Sequence, residues 1–221
     1  MNGPLAALAR REFAVARASG AGGAVGVSFY FALVVLAPFA IGPDRAVLAR
    51  VAPALLWLGA LLSTLLGLDR LFQADAEDGA LDQMTLAKTP LEAIALVKGA
   101  VHWLVAVLPL VVVSPAFGLM LGLEPANLPR AVVALLAGTP AITAFGAIGA
   151  ALTASLRRAG PLTAVLVAPM AVPTLIFGVE AANAASVAPF PAMIAALAGI
   201  SLAAVALAPF AAAAALRAAR G

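Results

Sequence analysis

Residues 131–156, AVVALLAGTPAITAFGAIGAALTASL, run for 26 positions without a charged side chain. A helix of that length spans about 39 Å, more than the roughly 30 Å of hydrocarbon in a bilayer. Comparable charge-free stretches cover 18–43, 51–68, 99–123, 159–179 and 181–216. The last is long enough for two crossings, but Asn183, Ser186, Pro189 and Pro191 make its first third a polar, broken loop. The pattern predicts six membrane spans, at about 20–42, 51–68, 99–122, 131–156, 160–179 and 192–216. Composition agrees: 64% of residues are hydrophobic and 10% charged, whereas soluble domains carry about 25% charge. The expected fold is an all-α, polytopic membrane bundle, with residues 1–221 forming one transmembrane domain.

The basic residues set the expected orientation. With the N-terminus inside, Arg10, Arg11, Arg17, Arg70, Lys88, Lys98, Arg157, Arg158, Arg217 and Arg220 fall in cytoplasmic segments, against Arg45, Arg50 and Arg130 outside. That excess predicts cytoplasmic termini. It also accounts for the net charge of +3 without a nucleic-acid partner. The apolar run after Arg17 is too long for a signal peptide and lacks a small-residue cleavage site, so it reads as a retained span. The scarcity of lysine beside arginine and the abundance of alanine suggest a GC-rich bacterial genome.

Several chemistries are excluded. The chain has no cysteine, which removes disulfides, thiolate catalysis and Cys-based metal or Fe–S sites. Lys88-Thr89 echoes the end of a phosphate-binding loop, but Asp82 and Ala87 stand where glycines are required. One histidine cannot support a Ser/His/Asp arrangement, so no enzymatic role is expected. The predicted spans contain no Asp, Glu, Lys or Arg, hence no ion-coupling relay, and any energy for transport enters from outside the membrane region. His102, beside Trp103 at a span end, fits a solvated interfacial residue. The alternative is a haem or metal ligand, for which it has no carboxylate or thiolate companion.

Two segments outside the spans are organised. In 4–18, Leu5, Leu8, Ala9, Phe13 and Ala16 recur at helical spacing, with Arg10, Arg11 and Arg17 on the other side. This predicts an amphipathic helix at the inner membrane–water interface, arginines toward anionic lipid. Glu12 falls inside its apolar arc, where it either meets a partner or another cytoplasmic segment or sits at headgroup depth. The loop 69–98 carries Asp69, Asp75, Glu77, Asp78, Asp82 and Glu92 against Arg70, Lys88 and Lys98. In it, Leu68, Leu71 and Phe72 extend the apolar face of span two, Gly79 interrupts, and Ala80–Ala87 forms a short helix. Thr89-Pro90-Leu91-Glu92 reads as a capping box that starts a new helix into span three. A short helix rimmed by acids is either a docking element for a cytoplasmic protein or a solvated connector.

Gly67-Leu68-Asp69-Arg70-Leu71-Phe72 followed by Glu77-Asp78-Gly79-Ala80-Leu81-Asp82-Gln83 resembles the haem exporter protein B family of cytochrome c maturation, within the ABC-2 permeases. The similarity continues through Arg11-Glu12, Lys98 with His102-Trp103, Leu108-Pro109-Leu110, Gly138-Thr139-Pro140, Gly146–Thr153, Leu156-Arg157-Arg158, Leu175–Gly178 and Ala208–Ala211. It departs at Asp82–Thr89, less acidic and leucine-rich than the family pattern, and at Met170-Ala171, lighter than the usual pair.

The resemblance implies a membrane subunit in the bacterial inner membrane that couples to a separate ATPase subunit of the A type. Further implied partners are a C-type haem-handling membrane protein, a small membrane subunit and a periplasmic haem chaperone. Haem is implied as cargo and ATP is used through the partner. The implied ATPase contact is Glu77, Asp78, Gly79, Leu81, Asp82, Gln83 and Met84, and Arg10, Arg11, Glu12 and Phe13 belong to the interfacial helix. The other functional readings are an ABC-2 exporter permease for a lipid, drug or glycan, and a passive scaffold.

Overall fold

The computed structural model describes residues 3–18, 21–68, 70–86, 89–156, 159–183 and 185–218. Among these every regular element is helical: α1 (Pro4–Ala18), α2 (Ala21–Ile41), α3 (Arg45–Leu68), α4 (Arg70–Glu77), α5 (Ala80–Leu86), α6 (Leu91–His102), a π segment (Trp103–Val107), α7 (Leu108–Met120), a 3₁₀ turn (Pro125–Asn127), α8 (Leu128–Leu152), α9 (Ala159–Ala182) and α10 (Phe190–Ala218). Six helical units are long and apolar enough to cross a membrane: α2, α3, α6 with its π segment and α7, α8, α9 and α10. Proline is tolerated inside all six of these units because neighbouring helices cover the carbonyls it leaves unpaired.

Helix α8 is the axis of the bundle, packing on α3, α9 and α10. Its small residues permit this. A Cβ at Gly138 would meet the Trp57 ring, one at Gly146 would run into Leu68, and one at Gly149 would press on Val167. Backbones approach closely at such glycines, and packing replaces the hydrophobic effect as the source of helix association in lipid. Trp57, fully buried, is wedged between Gly138 of α8 and Gly178 of α9. Tyr30 stands edge-on to Phe117 at 4.8 Å and donates its hydroxyl to the Leu56 carbonyl at 2.8 Å.

The third crossing starts at Leu91, before the charge-free stretch, and Lys98 therefore lies within its helix. Pro90 is the cap residue, with no side-chain capping bond. The expected capping box is absent: Glu92 does not reach back but pairs with Arg217 at 2.7 Å, a contact available because α10 ends beside the start of α6. The π segment has a local cause. Pro109 has no N–H to give the Val105 carbonyl, the ladder gains one residue, and Leu108 N–H bonds to the Trp103 carbonyl. Gly23 of α2 comes up against the Val105 carbonyl, where a Cβ would stand 2.8 Å from the oxygen.

Candidate functional site

Helices α1, α4 and α6 meet at the end of the bundle where α10 finishes. Each presents one face there. Leu68, Leu71 and Phe72 are buried along α3 and α4, and Asp75 is the next residue on that helical face. On α6 the buried face is Leu91, Ile94, Ala95, Lys98 and Val101. Glu12 comes from the apolar arc of α1. Three charged residues thus occupy positions their helical periodicity assigns to the interior.

They close into a ring with Arg11. Lys98 Nζ donates to Asp75 Oδ2 at 2.6 Å and to Glu12 Oε2 at 2.8 Å. Arg11 donates to the other oxygens: Nη2 to Asp75 Oδ1 at 2.8 Å and Nη1 to Glu12 Oε1 at 3.0 Å. Charges alternate around the ring and cancel, and each carboxylate uses both oxygens. The Lys98 and Asp75 side chains are 3% and 5% exposed, Glu12 14% and Arg11 43%. Lys98 also lies 5.9 Å above the centre of the Phe72 ring. The hydrogen bond to Asp75 raises the Arg11 pKa above its ordinary value, so that the ring is held charged at this corner. Such a buried network is costly to desolvate and very costly to leave half-paired. It fixes three helices in one relative position.

The residues expected to meet a partner divide by exposure. Glu77, Asp78 and Gln83 are exposed and Gly79 is partly so; Glu77 accepts a bond from Gln73 at 3.0 Å. The left-handed backbone of Gly79, φ +73°, makes the break between α4 and α5, a conformation that favours glycine. Leu81, by contrast, is buried with Phe72, Ala95 and Ala151. Met84 packs with Leu8 on Leu91 and Ile94. Both apolar residues hold α5 onto the chain's own bundle instead of offering a surface outward. Asp69 and Lys88 lie outside the described residues, as does the Asp82 side chain. Arg10 is exposed and Phe13 half-buried on α1.

Glu12 therefore meets another segment of its own chain. The sequence alone marks Asp75 as an acid of the loop and Lys98 as a topology signal and a match to the family pattern, without pairing them. His102 is one turn beyond Lys98, on the α6 side of the π segment. Its Nε2 is buried without a hydrogen-bond partner, and its ring abuts Gly67 of α3, with Cε1 3.6 Å from where a Cβ would stand. Among the described residues no group of three or more His, Asp or Glu side chains is placed to hold a metal ion.

The family model described as CcmB protein matches residues 4–219. Heme exporter protein B of Bradyrhizobium diazoefficiens is 52% identical over 215 residues, covering 96% of this chain and 97% of that protein. The protein of the same name from Paracoccus denitrificans is 49% identical, with 96% and 97% covered. That of Escherichia coli K12 is 42% identical over 86% of each chain.

Proposed function

Because the chain belongs to the CcmB protein family, we propose that it is the membrane subunit of an ABC-type haem export system serving c-type cytochrome maturation. The subunit performs no catalysis itself. A separate A-type ATPase hydrolyses ATP and bears on the exposed acids of the α4–α5 loop, Glu77 and Asp78, with Gln83 beside them. The C-type haem-handling protein, the small membrane subunit and the periplasmic chaperone complete the pathway, and haem is its cargo. The protein resides in the bacterial inner membrane, and the ring end of the bundle faces the cytoplasm, as the distribution of basic residues favours.

The observation that carries this reading is the ring itself. Asp75 is on the same helix as Glu77, and its carboxylate holds Lys98 at the base of the third crossing. Displacement of the loop by the ATPase is thus passed to α6, and through Glu12 to α1, without crossing solvent. The π segment directly beyond His102 lets the lower part of this crossing pivot against α7, since such segments interrupt the regular ladder.

Reversing the outer acids tests the coupling. Glu77→Lys with Asp78→Lys should leave the bundle folded and membrane-inserted while lowering haem-stained cytochrome c by about tenfold or more, the effect of placing like charge at a complementary contact. Unchanged holocytochrome together with an unaltered ATPase rate would remove the loop from the coupling path. His102→Ala should complement a deletion strain to full haem staining, because the Nε2 that would ligate iron is buried; loss of staining with normal protein levels would return it to the haem path.

A further inference from the structure

Trp103 opens the π segment, and two of its groups are engaged at once. Its carbonyl accepts the Leu108 N–H across the extra residue, and its indole donates to the Thr139 hydroxyl of α8 at 3.0 Å. Thr139 is fully buried, and its own carbonyl accepts the Thr143 hydroxyl at 3.3 Å. Among the described residues, no other side-chain hydrogen bond joins this crossing to another helix beyond Lys98. On the ring side of the bond an apolar groove runs between Leu96, Gly99 and Ala100 of α6 and Thr143, Ala144 and Ala147 of α8. The indole is thus the tie at one end of α6, and the Lys98 ammonium is the tie at the other.

The surroundings make this tie a fixed point. An indole N–H parted from its acceptor inside a bilayer has no water to turn to, a cost that keeps the pair together while the helix around it moves. The backbone beside it is easier to bend, because the ladder is interrupted by the π segment and Pro109 has no N–H to give. Lys98 is five residues before Trp103, about 7.5 Å along the helix. Helix shifts in switching proteins run to about 1–2 Å, and such a shift at Lys98 turns the segment by about 8–15° around a fixed Trp103. Without the fixed point, the same push slides α6 and α7 together along α8. We propose that Trp103 is the positioning residue of the coupling stroke: its bond to Thr139 makes the π segment a fulcrum, so that displacement of the loop tilts Leu91–His102 while α7 stays seated on α8. This rests on the coupling reading given under the proposed function and adds to it the contact that selects tilt over slide.

The test uses the assembled transporter in membranes. Trp103→Phe keeps the ring and loses the N–H, and Thr139→Val keeps the shape and loses the acceptor. Each should leave subunit level and the ATPase rate of the complex within about twofold, while haem-stained cytochrome c falls about fivefold or more, as when a coupling element is altered. Thr139→Ser, which keeps the hydroxyl, should deliver haem as the unaltered protein does. Trp103→Phe with Thr139→Val should lose no more than either change alone, because both remove one bond. Full delivery by Trp103→Phe or Thr139→Val overturns the fulcrum, as does a Thr139→Ser variant no better than Thr139→Val. A loss that tracks ATPase rate or protein level also overturns it, since that marks a merely structural bond. Glu77→Lys with Asp78→Lys is measured in the same membranes. If that reversal uncouples and the Trp103 and Thr139 variants do not, the fulcrum falls and the coupling reading stands; if the reversal also changes nothing, both fall.

Discussion

Lys98→Met is expected to abolish haem delivery to c-type cytochromes and to destabilise the bundle by about 3–5 kcal/mol, the usual consequence of removing one partner from a buried charge network. The lysine is shared by two carboxylates, so its loss leaves Asp75 and Glu12 with only Arg11, the most exposed of the four. Thermal unfolding in detergent reads the stability, and haem staining of membranes reads the function. A neutralised set separates the two. Lys98→Met with Asp75→Asn and Glu12→Gln carries no unpaired buried charge and should regain much of the lost stability, because apolar or neutral replacement of a whole network is often tolerated. If the ring transmits force, haem delivery stays lost in this stable variant. Full delivery would reduce the ring to a clamp.

The second large effect is expected at Gly178, on the far side of the core. Gly178→Leu should yield no folded bundle, since even a Cβ there runs into the Trp57 ring, which is itself pressed on Gly138 from the other side. Overpacking by one methylene costs about 1–3 kcal/mol in a close-packed interior, and leucine adds a whole side chain. Gly178→Ala is the graded version, with a lowered melting temperature. Trp57→Leu should make that alanine cheaper, and the double-mutant cycle between the two positions measures their contact. Equal costs of Gly178→Ala in the two backgrounds would show that the wedge carries no strain.

The bundle was legible because charge-free length is a property of the sequence alone. The break at Gly79 and the short helix after it were also legible, because an interruption followed by Leu81 and Met84 on one side is a local pattern. The ring was only one-quarter legible. Glu12 stood out as an acid on an apolar arc; the same test applied to Asp75, which follows Leu68, Leu71 and Phe72 at helical spacing, or to Lys98, which follows Leu91, Ile94 and Ala95, identifies both. They were hidden by being counted as loop charge. The partnering of Arg11 could not be read in this way, since an arginine on the polar side of α1 has many possible neighbours. The capping box failed for a tertiary reason: Arg217, 125 residues away, competes for Glu92 and is available only once the bundle is assembled.

The ring also imposes an order on biogenesis. Glu12 and Asp75 leave the ribosome well before Lys98, the last of the four to be made, and Lys98 enters with the third crossing. Until that helix is inserted, α1 and α4 have acids but no lysine to close on. A chain that ends before residue 98 therefore lacks the lysine that both carboxylates share in the finished subunit.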